Sequence, residues 1–208
     1  MKKNKIALIT GGAHRVGKII SLTLAELGFD VVVHYNSSKK EAVQTKKEIE
    51  GLGRRCKLVQ ANLLKDTINL KGIDVLVNNA SLFIQEDFKN TKNFDKQFGL
   101  NFRVPYFLSL EYIKKNKKGL IINILDKRIT WKKSKHFAYT LSKKALAEFT
   151  VMLANELKPR IRVNGIAPGY ILPSKGKKAK SRNIAALKNA IKKLVTNTRL
   201  TGKIIFVG

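Results

Sequence analysis

The sequence predicts a single α/β domain: a doubly wound parallel sheet of about seven strands with helices on both faces. Three observations predict it. Apolar runs of strand length alternate with runs of helical length from end to end. The strand-like runs are rich in Val, Ile and Leu without alternation, as strands buried on both faces should be. A length of 208 residues suits one domain with enough chain to bury a core.

The elements follow in order. A first strand over 5–10 runs into Thr10-Gly11-Gly12-Ala13-His14-Arg15-Val16-Gly17, and a helix over 16–27 follows, stopped by Gly28. A strand over 30–35 leads to a helix over 39–51, ended by Gly51. Strands over 55–60 and 73–78 are joined by a short connection, 61–72, in which a helix looks truncated. A long helix over 93–115, a strand over 120–124, a helix over 137–157 and a strand over 161–166 complete the main rhythm. The interval 170–202 is a second connection that looks short; it includes a helix over 183–196, and a last strand spans 203–207.

Composition sets bounds. No run reaches the 18 or so apolar residues of a membrane span. The apolar stretch near the N-terminus is short and is interrupted by His14, Arg15 and Lys18, unlike a signal peptide. The single cysteine, Cys56, forms no internal disulfide, suits a reducing cytoplasm and reads as strand packing. No His/Cys cluster has metal-ligand spacing, so no metal is expected. The net charge is +28, and 33 of the 42 basic residues are lysine. Specific phosphate and base recognition favours the arginine fork, so the charge reads as solvated surface and nucleic acid is not the expected partner.

Position gives the glycine turn its meaning. A glycine-rich turn between a first strand and a helix lets backbone approach a pyrophosphate, and the helix N-terminus adds N–H groups and a positive dipole end. The fold expected is therefore Rossmann-like. The second strand ends in His34-Tyr35-Asn36-Ser37-Ser38-Lys39, with no carboxylate for an adenosine ribose hydroxyl. Hydroxyls, an amide, a histidine and a lysine suit a 2′-phosphate, so NADPH is expected over NADH. Ser37 or Ser38 can equally cap the next helix.

Tyr139 and Lys143 lie four residues apart on a predicted helix, which sets a phenol and an ammonium on one face. A lysine so placed is expected to lower the tyrosine pKa and make it a proton donor near neutral pH. Asp126 lies thirteen residues before the tyrosine.

These pieces resemble the short-chain dehydrogenase/reductase family over nearly the whole chain. The likeness rests on Thr10 to Gly17, on Val77-Asn78-Asn79-Ala80, on Asn101, on Tyr139 with Lys143, and on Arg162 to Gly169. Three details resemble the pteridine reductases within that family: Arg15 where glycine is usual, Asp126 where serine is usual, and Ser81-Leu82-Phe83 after the Asn-Asn-Ala run. The resemblance implies that Tyr139 donates a proton, that Lys143 holds the nicotinamide ribose, and that Asn101 holds a water in a proton relay. It implies a cofactor site of Gly11, Arg15, Val16, Gly17, His34, Tyr35, Asn36, Ser37, Asn62, Leu63, Asn79, Ala80, Ser81, Tyr139, Lys143, Pro168 and Gly169. It implies that Arg15, Ser81, Phe83, Asp126 and Tyr139 meet a pterin or folate, with Phe83 stacked on the ring. A homotetramer or homodimer through the helices at 93–115 and 137–157 is also implied. The chain departs from the family at Asn62, where Asp is usual, and over 170–202, where the resemblance implies a substrate lid that is shortened here. The other functions open to such a chain are reduction of ordinary carbonyls, such as oxoacyl thioesters, and a nucleotide-binding scaffold without turnover.

Overall fold

A computed structural model describes residues 4–85, 93–171 and 181–208. Seven strands form one parallel sheet: β1 (Ile6–Ile9), β2 (Asp30–Tyr35), β3 (Cys56–Gln60), β4 (Val75–Asn78), β5 (Gly119–Ile124), β6 (Ile161–Pro168) and β7 (Ile204–Val207). Their order across the sheet is β3-β2-β1-β4-β5-β6-β7. The chain winds outward from β1 in one direction and from β4 in the other. That reversal opens a crevice at the C-terminal ends of the strands, between β1 and β4, where ligands of such sheets bind.

The helices are α1 (Arg15–Glu26), α2 (Lys39–Gly51), α3 (Phe94–Phe98), α4 (Val104–Lys115), α5 (Phe137–Leu157) and α6 (Ser181–Thr196). Strand periodicity divides the core between the two faces. Ala7 and Ile9 of β1, and Val75 and Val77 of β4, join the side chains of α1, α2 and α6. Leu8 and Leu76 point the other way, to Tyr112 of α4 and Ala154 of α5. Each of these Leu and Ile side chains, removed wholly from water, contributes about 2–3 kcal/mol against exposure.

One expectation is corrected. The helix expected over 93–115 is three pieces, because a π-helical turn, Gly99–Arg103, separates α3 from α4. The helix expected over 183–196 is α6, which buries Leu187, Ala190, Ile191 and Leu194 in the core. Residues 172–180 of the expected lid lie outside the described residues. Cys56 is buried, and burial pushes its thiol up to about 11.

Candidate active site

Every predicted site residue except Asn101 lines one cleft of roughly 780 Å³ at the crevice. The glycine turn is fixed from below by the Asn-Asn-Ala segment. The side-chain amide of Asn79 donates to the carbonyls of Thr10 (2.9 Å) and Gly11 (3.0 Å). The Thr10 hydroxyl accepts from the backbone N–H groups of Asn79 and Ala80. A Cβ on Gly17 would stand 2.0 Å from the Gly11 carbonyl oxygen, so only glycine lets α1 start this close to the turn.

Arg15 opens α1 with φ +52°, a left-handed conformation that glycine takes freely and arginine does not. The α1 N-terminus has no side-chain cap and no acidic residue in its first turn. That leaves a positive dipole end facing the cleft, which fits a pyrophosphate.

His34 is 3% exposed and serves the turn directly. Its Nδ1 accepts from the Gly11 N–H at 3.1 Å, and Nε2 lies 3.0 Å from the Ala61 carbonyl. An Nδ1 acceptor requires the Nε2–H tautomer, so the ring is neutral and bridges the loops after β1 and β3. Burial holds its pKa below the usual range. With both nitrogens engaged by backbone, His34 shapes the cofactor pocket, and the exposed Asn36 and Ser37 are left as the polar rim at the end of β2. The Asn62 side chain is committed to its own turn, where it accepts from the Leu64 N–H.

At the other end of the cleft the Tyr139 hydroxyl donates to Oδ2 of Asp126 at 2.9 Å. Asp126 also caps the short 3₁₀ turn Lys127–Thr130, accepting from the Arg128 N–H. The expected lowering of the tyrosine pKa is reversed here. Burial and the Asp126 carboxylate both raise it, while Arg128 and a Ser81 hydrogen bond pull it down more weakly. Lys143 does not offset this, because its ammonium is buried, donates to the Ile124 carbonyl at 2.8 Å and sits 5.9 Å from the tyrosine ring centre. Burial pushes the lysine down to about 8, with Asp126 opposing.

Asn101 lies beneath the cleft. Its side chain accepts from the Leu82 N–H and the Ser81 hydroxyl and donates to the Leu82 carbonyl. It fixes the segment that carries Phe83. Phe83 meets Tyr139 edge-on at 4.8 Å and the His136 ring at 4.5 Å.

Sequence reasoning missed Arg128. Its guanidinium pairs with Asp126 at 3.1 Å and lies 5.1 Å from the centre of Phe83 and 5.2 Å from Trp131. Its place two residues after Asp126, on the strand's C-terminal side, was the available signal.

The parallel sheet thus sets a phosphate-ready turn at one end of the cleft and a Tyr/Lys/Asp set at the other. The chain belongs to the short chain dehydrogenase family, whose model matches residues 5–185. It is 33% identical over 184 residues to General stress protein 39 of Bacillus subtilis, covering 81% of this chain and 64% of that protein, just under two thirds of its length. It is 33% identical over 186 residues to 2-dehydro-3-deoxy-D-gluconate 5-dehydrogenase of Dickeya dadantii, covering 81% and 72%. Among solved structures it resembles FolM Alternative dihydrofolate reductase 1 from Brucella canis complexed with NADP. The TM-score is 0.89 at 33% identity, over 98% of this chain and 92% of that one. It also resembles an acetoin dehydrogenase from Enterobacter cloacae, with a TM-score of 0.85 at 26% identity, over 100% and 95%.

Proposed function

We propose that the chain is an NADPH-dependent reductase of a pterin or dihydrofolate-type substrate, with Tyr139 as proton donor. One observation carries this reading: the phenol of Tyr139 donates to a carboxylate, Asp126, at 2.9 Å. An ionised carboxylate has no donor for a carbonyl oxygen and would repel a developing alkoxide. It suits a flat ring that presents N–H groups and a C=N bond. The likeness to a dihydrofolate reductase complexed with NADP supports the same reading.

In this reading the α1 N-terminus takes the pyrophosphate, Asn36 and Ser37 take the 2′-phosphate, and Arg15 meets the acceptors of the substrate ring beside the pyrophosphate. Lys143 and Tyr139 hold the nicotinamide ribose. The nicotinamide, when bound, supplies the hydride. Tyr139 delivers the proton, and Asp126 orients the phenol and accepts from the substrate ring. Ser81 adds a hydrogen bond, and Phe83 turns from the Tyr139 edge to stack on the ring.

The test is NADPH oxidation with dihydrobiopterin, dihydrofolate and an acetoacetyl thioester. Turnover of a pterin is expected, with Tyr139→Phe slower by about 10²–10⁴-fold. Turnover of the thioester alone would move the chain to the carbonyl reductases, the activity that its dehydrogenase relatives' names favour. Tight NADPH binding without any turnover would make it a scaffold. We also propose a homodimer or homotetramer through α4 and α5.

A further inference from the structure

We infer that Arg128 forms a carboxylate subsite at the substrate end of the cleft, so that the chain selects a substrate carrying an anionic arm on its reducible ring. The inference rests on the reductase reading above and names its substrate class.

Charge is the first ground. Among the described residues lining the cleft, Arg15, Lys96, Arg128 and Lys143 face a single carboxylate, Asp126. Arg15 opens α1 at the glycine turn, and Lys143 is buried. Arg128 is the arginine at the substrate end, 5.9 Å from the centre of the tyrosine ring.

Donor geometry is the second. Arg128 gives Asp126 only Nη1, at 3.1 Å. Its Nε is buried without a hydrogen-bond partner among the described residues. With Nη1 on Asp126 and Nε enclosed, Nη2 is the donor that Asp126 leaves for a further carboxylate.

Surroundings are the third. Phe83 and Trp131 flank the guanidinium at 5.1 and 5.2 Å, which holds the fork in place and lowers the local dielectric. Trp131 is 47% exposed, so it gives the arm a flat surface on its way out. Beyond it Lys132, Lys133 and Lys135 are exposed and extend the positive field outward.

The test compares dihydrofolate, which carries carboxylates on such an arm, with dihydrobiopterin, which carries none. Wild type and Arg128→Gln are assayed with both substrates. Any loss of support for Asp126 affects both substrates and cancels in their ratio. The kcat/KM ratio of dihydrofolate to dihydrobiopterin should fall at least about 10-fold in the variant, mainly through KM, and the wild-type ratio should fall as salt is raised. An unchanged ratio, in a variant whose NADPH-induced thermal shift matches wild type, overturns the carboxylate subsite and leaves the reductase reading standing. A wild-type protein that reduces neither substrate overturns both.

Discussion

At the scale of single residues, Arg15 shows how the site departs from local preference. A left-handed arginine costs about 1–2 kcal/mol relative to glycine, which adopts φ +52° without strain. Such strain persists where a side chain is used. Arg15→Gly should therefore raise the unfolding free energy by about 1 kcal/mol and weaken NADPH binding about tenfold or more. Denaturant melts and a fluorescence titration measure the two effects, and a variant that loses stability would end the strain argument. Asp126 is the opposite case. Its spacing before Tyr139 could be read from the chain, but its two jobs could not. The carboxylate both caps the following turn and accepts from the phenol, and that sharing appears only when β5 and α5 are brought together. The expected effect of Lys143 on the tyrosine pKa failed for the same reason. Helix spacing places it near the tyrosine, yet the Ile124 carbonyl, from another element, claims the ammonium.

Among elements, the strands were the most legible, because runs of Val, Ile and Leu buried on both faces have few other uses. β2, α2 and α5 span the residues that pattern alone assigns to them. The π-helical turn between α3 and α4 was not legible. One extra residue in a helical turn leaves no compositional mark, yet this turn carries Asn101. The His34 bridge is also invisible in sequence, since its partners lie 23 and 27 residues away. It yields a pH dependence with a definite sign. Its folded pKa is depressed by burial, so the unfolded chain binds more protons below the ordinary histidine value of about 6.5. The stability it contributes is present above that pH and is lost as pH falls from there towards the folded pKa. His34→Gln keeps a donor and an acceptor but cannot titrate. Its melting temperature should fall less than wild type's between pH 7 and pH 5.5; equal slopes would remove His34 as the cause.

For the whole molecule, the surface of α4 and α5 matters most. Phe102, Tyr106 and Phe149 form a cluster of ring contacts between the π-turn, α4 and α5. Phe107, beside Tyr106, and Met152, one turn beyond Phe149, are each 60% exposed. These exposed apolar side chains on α4 and α5 are where we propose that the subunits meet. Light scattering should give two or four copies, and Phe107→Glu with Met152→Glu should give one folded copy. A monomeric wild type would refute the assembly. Among the described residues no helix is long and apolar enough to cross a membrane.

The histidine bridge also has a consequence for redesign. Position 34 is closed to anyone altering coenzyme preference, because any side chain there must keep the glycine turn and the third strand's exit in register. Asn36 and Ser37, which are exposed at the end of the same strand, are the dials that can be turned without loosening the frame.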